Sequence, residues 1–146
     1  MRIRRALIGG LAGAALATGI AASPASAADG LQRAAVTSST PPSGIPNAAS
    51  GFVGEARFDP HGEWFWLRDT WADNEPVAIE WDYWHPETGQ SRSGVIYANQ
   101  GQAAGWTNLN KSFDEGGHMY FSVCQIDLSE GMDGLYDCWG PAFSLT

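Results

Sequence analysis

The chain predicts an all-β fold: an antiparallel two-sheet sandwich of about seven short strands, with an immunoglobulin-like arrangement or a small barrel as variants of that plan. Three observations lead there. Within 51–146, apolar–polar alternation recurs between turn signals and outweighs helical i, i+3, i+4, i+7 spacing. Clusters of Gly, Pro, Asn and Asp punctuate that alternation at intervals of roughly 10 to 15 residues, the rhythm of a sandwich or barrel. All seven Trp, all six Phe and all four Tyr lie after Gly51. A lone sheet would leave too many of them uncovered on one face.

The first element is not part of that fold. Arg2, Arg4 and Arg5 precede an uncharged apolar run, Ala6 to Ile20, and Ala25-Ser26-Ala27 supplies a small-x-small cleavage pattern. The run falls short of the ~20 residues that span a bilayer, so 1–27 reads as a signal peptide of the general secretory route, with no membrane attachment after cleavage. Residues 28–50 are rich in Ala, Ser, Thr and Pro without either periodicity, and read as a flexible leader. Gly51 opens the single domain, 51–146.

Within it the expected strands are, in order, 53–58, 63–69, 76–85, 93–98, 105–113, 118–127 and 135–143. Asp59-Pro60, Ala72-Asp73-Asn74, Pro86-Glu87-Thr88-Gly89, Asn99-Gln100-Gly101, Asp114-Glu115-Gly116-Gly117 and 130–134 supply the turns. Cys124 and Cys138 are the two cysteines, centred on Gly131 in the last of these turns. A symmetric hairpin sets them opposite one another, and export makes a disulfide the expected state. C-x-x-C spacing, which a redox or metal pair would want, is absent.

Gly54-Glu55-Ala56-Arg57-Phe58-Asp59-Pro60, Gly62-Glu63, the Asp69…Asp73 loop, Asn108-Leu109, Glu115-Gly116 and Val123-Cys124…Cys138 together resemble a group of small secreted actinobacterial single-domain proteins of unknown function. The resemblance spans Gly51 to Thr146 and implies secretion, one cysteine pair and a compact β domain. It carries no catalytic or binding residue. The run into Cys124 is also similar to the corner before the cysteine-bearing strand of immunoglobulin domains, although Tyr120 sits four residues ahead of the cysteine instead of two.

Charge narrows the partners. Loss of the three signal arginines takes the net charge from −8 to −11, since all 16 acidic residues follow Ala28. Nucleic acid and anionic lipid, which reward clustered Lys and Arg, are therefore excluded as expected partners.

Tryptophan offers the strongest functional hint. Strict alternation puts Phe65 and Leu67 on one face of 63–69, and Trp64, Trp66 and Arg68 on the other. In 76–85, Val77, Ile79, Trp81 and Tyr83 form an apolar face, with Glu80, Asp82 and Trp84 opposite. If the Asp69–Glu75 connection makes the two a hairpin, Trp64, Trp66 and Trp84 share an outer face with Glu80, Asp82 and Arg68, a platform for sugar rings. The competing expectation is that Trp64 and Trp66 are core, or are covered by a loop.

Asp69, Asp73, Asn74 and Glu75 are weak calcium candidates, without the spacing of a known calcium loop. Asp127, Glu130 and Asp133 form a second acidic cluster of the same kind. Nucleophile elbows, zinc-protease motifs and phosphate loops are missing. His61, His85 and His118 fall in separate segments, and His61 with Glu63 is the nearest approach to an acid–base pair. The sequence thus predicts a secreted, monomeric, non-catalytic binding module without a cofactor. Its expected ligand is a polysaccharide, with an extracellular protein as the rival partner.

Overall fold

The computed structural model describes residues 29–45 and 48–146, so the signal segment and its cleavage point lie outside the described residues. The strands are β1 (Gly30–Arg33), β2 (Ala35–Val36), β3 (Ala48–Ser50), β4 (Gly54–Asp59), β5 (Trp64–Asp69), β6 (Val77–Trp84), β7 (Ser91–Ala98), β8 (Thr107–Asn110), β9 (His118–Ile126) and β10 (Leu135–Leu145). They form two five-stranded sheets. Sheet I has the order β1-β7-β6-β9-β10 and sheet II the order β2-β8-β5-β4-β3. Every pairing is antiparallel except that of β1 with β7. The expected all-β sandwich is the observed fold, and β4 to β10 are its seven expected strands.

Alternation explains the core. Val77, Ile79, Trp81 and Tyr83 of β6 face Ala56 and Phe58 of β4 and Phe65 and Leu67 of β5 across the sandwich, and all are essentially unexposed. Phe113, from the β8–β9 connection, closes one end. It lies against Trp81 at 5.4 Å and stacks on Tyr83 at 4.9 Å. Burial leaves the Tyr83 hydroxyl in need of a partner, and it donates to the Asp114 carbonyl at 3.0 Å.

Two expectations are corrected here. The segment read as a flexible leader contributes β1, β2 and β3, and 29–36 is an integral part of the domain. β1 extends sheet I, β2 extends sheet II, and the chain crosses between the sheets at Ala34, which is 1 % exposed and donates to the Tyr97 carbonyl. These edge strands need no amphipathic pattern of their own, because their hydrogen bonds come from β7 and β8. Their side chains are also structural. The only lysine of the sequence, Lys111, is wholly buried. Its ammonium lies 4.9 Å over the Trp81 ring, donates to Gln32 at 2.7 Å and sits 3.9 Å from Asp29. Asp29 also receives three hydrogen bonds from Arg92.

The second correction concerns β5 and β6. They do not form a hairpin. β5 is the centre of sheet II and β6 the centre of sheet I, and the connection between them crosses from one layer to the other. Both apolar faces are satisfied by facing each other across the core, with the Phe65 and Trp81 ring centroids 6.0 Å apart. Alternation within a strand cannot distinguish that arrangement from in-sheet pairing.

The Cys124–Cys138 disulfide is present, reached by a less symmetric route than expected. The turn is a 3-10 segment, Leu128–Gly134, begun by Asp127, whose carboxylate accepts from the Ser129 amide and hydroxyl. β10 starts in register with Leu135 opposite Ile126 and Tyr136 opposite Gln125, then slips so that Trp139 stands opposite Val123. The extra residue falls at Asp137-Cys138, with Asp137 at φ 48°, and this bulge brings Cys138 beside Cys124.

Candidate functional site

The six residues of the expected platform fall on opposite sides of the sandwich. Trp64, Trp66 and Arg68 point outward from sheet II, whereas Glu80, Asp82 and Trp84 point outward from sheet I. The sandwich core separates the two sets.

On sheet II, Trp66 is 6 % exposed despite facing away from the core. It occupies the centre of the sheet, in register with Arg57 on one side and Asn108 on the other, with the Trp64 ring 6.4 Å away. Trp106 folds over the same face, held by the guanidinium of Arg68 at 4.8 Å and that of Arg57 at 5.9 Å. Glu55 joins the two arginines, accepting from Arg57 at 2.7 Å and from Arg68 at 2.9 Å. Burial raises the Glu55 pKa, but the two guanidinium contacts outweigh it and hold the carboxyl below its ordinary range. The segment after β2 begins at Thr37, bonded to the Trp106 carbonyl, and reaches Asp59-Pro60-His61 through Pro42–Ile45, so it passes from one edge of sheet II to the other. Sheet II therefore covers Trp66, in line with the covered reading for that residue, while Trp64 beside it is 36 % exposed.

Sheet I carries the open face. Trp84, Tyr120, Phe143 and Leu145 are each between 42 and 55 % exposed. Register brings them together: Trp84 lies opposite His118, His118 opposite Leu145, and Tyr120 opposite Phe143. Their rings form a chain, Trp84 to His118 at 5.4 Å, His118 to Phe143 at 5.6 Å and Phe143 to Tyr120 at 5.2 Å, inclined by 75°, 84° and 48°. Alternation on β9 puts His118 and Tyr120 on one face, which the sequence could have shown. Phe143 was illegible, because two register shifts along β10 break the period-two count.

Further along the same face, Asp82 and Glu80 follow Trp84 at two-residue steps, both exposed. Glu80 lies against the disulfide, its carboxylate within 4.8 Å of both sulfurs, which are bonded to each other and so offer no ligand. Beyond it Ala78, Val95 and Ile126 are capped by Leu128 and Leu135 at the ends of the 3-10 segment. Glu80, Asp82, Ser93 and Val95 thus form one wall of a groove of about 210 Å³, closed on the other side by Met132, Asp133 and Leu135.

The other expected candidates are held in turns. Asp69 accepts from the Trp71 amide, and Asp73 from the Glu75 amide and from the Gln125 side chain. Glu75 accepts from the Tyr136 hydroxyl, and Asn74 takes a positive φ of 67°. Among the described residues these four do not converge into one ligand shell. His85 has both ring nitrogens engaged, Nδ1 by the Glu87 and Thr88 amides and Nε2 by the Glu115 carbonyl. Glu63 accepts from the Phe113 amide and is turned away from His61, which lies 3.7 Å from Asp59.

A third exposed aromatic group, Phe52 with Trp71 at 4.9 Å and Trp139 at 5.6 Å, sits beside the β10 edge and was not expected from the sequence. Among the described residues no helix is long and apolar enough to cross a membrane. No family model, no curated protein and no solved structure matches this chain.

Proposed function

We propose that this chain is an exported, non-catalytic protein-interaction domain whose binding surface is the outer face of sheet I. The observation that carries the reading is the contiguous patch of Trp84, Tyr120, Phe143 and Leu145, each well exposed on a disulfide-pinned sheet. Exposed apolar patches on soluble domains mark binding surfaces, and Trp and Tyr dominate the energetics of protein interfaces. The steep inclinations between neighbouring rings give a mosaic of edges and faces, which suits the side chains of a protein surface. The three-tryptophan strip expected to provide a saccharide platform is split between two sheets.

The test is retention by an immobilised domain. Wild type and a Trp84→Ala/Tyr120→Ser/Phe143→Ser triple variant are compared against culture-supernatant proteins and against insoluble polysaccharides. A protein retained by wild type and released by the triple variant is the expected result. Equal retention by both removes the sheet I face from consideration. Retention of polysaccharide alone, lost in the triple variant, replaces the protein partner with a sugar.

A further inference from the structure

Resting on that reading, we infer that the partner presents a basic side chain, a lysine or arginine set among apolar residues, which enters the groove between Glu80, Asp82 and Asp133 while its neighbours cover Trp84, Tyr120 and Phe143. The groove is continuous with the aromatic patch, because Glu80, Asp82 and Trp84 alternate along one strand face. Its volume of about 210 Å³ is below the ~300–1,000 Å³ of sites that enclose a small-molecule ligand, and suits a single side chain. Three carboxylates line it, with the Ser93 hydroxyl between the strands and the Met132 thioether along the far wall.

Four of the five cations of the described residues are committed elsewhere, and Arg33 forms no ion pair among those residues. Arg57 and Arg68 are engaged with Glu55 on the opposite sheet, and Arg92 and Lys111 with Asp29 at one end of the sandwich. Arg33 stands at the β1 edge of sheet I, in register with Tyr97. So the groove's negative charge has no partner of its own among the ion pairs of the described residues, and the net charge of −8 adds a long-range bias toward a cationic surface. An ammonium or guanidinium there meets carboxylate acceptors along the groove wall, and its aliphatic stem lies along Met132 and Leu135.

The test uses acetyl-Leu-Lys-Leu-Lys-Leu-Lys-amide, its arginine counterpart and its glutamate counterpart, titrated into the domain from Asp29 to Thr146 and followed by amide NMR shifts. The expected result is saturable shifts at residues 80, 82, 93, 132 and 133 and at the Trp84 indole for both basic peptides, and none for the acidic one. Affinity should fall at least fivefold between 50 and 300 mM salt, and at least fivefold in Glu80→Gln/Asp82→Asn. A Glu87→Gln/Glu115→Gln variant has the same net charge but keeps the groove, and should bind as wild type does. Equal loss in both double variants means undirected attraction and overturns the inference. Loss in the aromatic triple variant alone keeps the sheet I face and rejects a basic partner. Absence of any saturable shift also rejects it, and leaves the binding face to be judged by the retention experiment.

Discussion

Trp66 and Trp84 occupy equivalent positions in two alternating strands, yet one is 6 % exposed and the other 46 %. The difference comes from neighbours distant in sequence. Trp66 has Arg57, Asn108 and the Trp106–Arg68 pair around it, whereas Trp84 stands at the open end of its sheet against His118. Trp66→Ala should therefore cost ~3–5 kcal/mol, as for a buried aromatic. Trp84→Ala should cost less than ~1 kcal/mol, as for a surface change. Urea unfolding of the two variants checks both values, and similar costs would contradict this division of roles. At this scale the sequence showed which side chains share a strand face. It could not show which outer face is covered, since that depends on Trp106 and the two arginines that hold it.

At the scale of elements, β4 to β9 were legible because each buries apolar side chains in an alternating pattern, and β10, exposed along most of its length, through the Gly-rich turn before it and Cys138. β1 to β3 were not, because an edge strand can live on hydrogen bonds lent by its neighbour. A chain begun at Thr37 lacks β1, β2, the Ala34 crossing and the Asp29 and Gln32 side chains beside Lys111 and Arg92. Removing a partner from a buried charge costs ~3–5 kcal/mol. At ~4–8 °C per kcal/mol for a domain of this size, the melting temperature should drop by about 10 °C or more relative to a chain begun at Asp29. An unchanged calorimetric midpoint would mean that the N-terminal strands are dispensable. The disulfide acts on the opposite edge of the same sheet, closing a separation of 14 residues, worth ~3 kcal/mol in the chain-entropy account.

For the whole molecule, Lys111 sets the alkaline behaviour. Burial pulls its pKa from 10.5 to about 8, although Asp29 pulls the other way. Between those values the unfolded chain holds a proton that the folded chain has released, so stability rises with pH across that window and is lost again as pH falls through 8. The gain is at most ~3 kcal/mol, from 1.36 kcal/mol per unit. Above pH 10 the Tyr83 phenol opposes it, since burial raises its pKa and the unfolded chain then ionises first. Urea midpoints should climb from pH 7.5 to a maximum near pH 10 in wild type and stay flat in Lys111→Met. A midpoint falling over that range would contradict the buried position of the amine.

That same lysine has a use at the bench. Because the sequence contains a single lysine and the fold hides it, an amine-directed reagent meets only the α-amino group of a folded chain begun at Asp29. Coupling to a surface through amines would thus give one attachment point and one orientation. Conversely, a second label arriving at Lys111 would time the moments when the first strand lets go, a clock for local opening that needs no mutation to install.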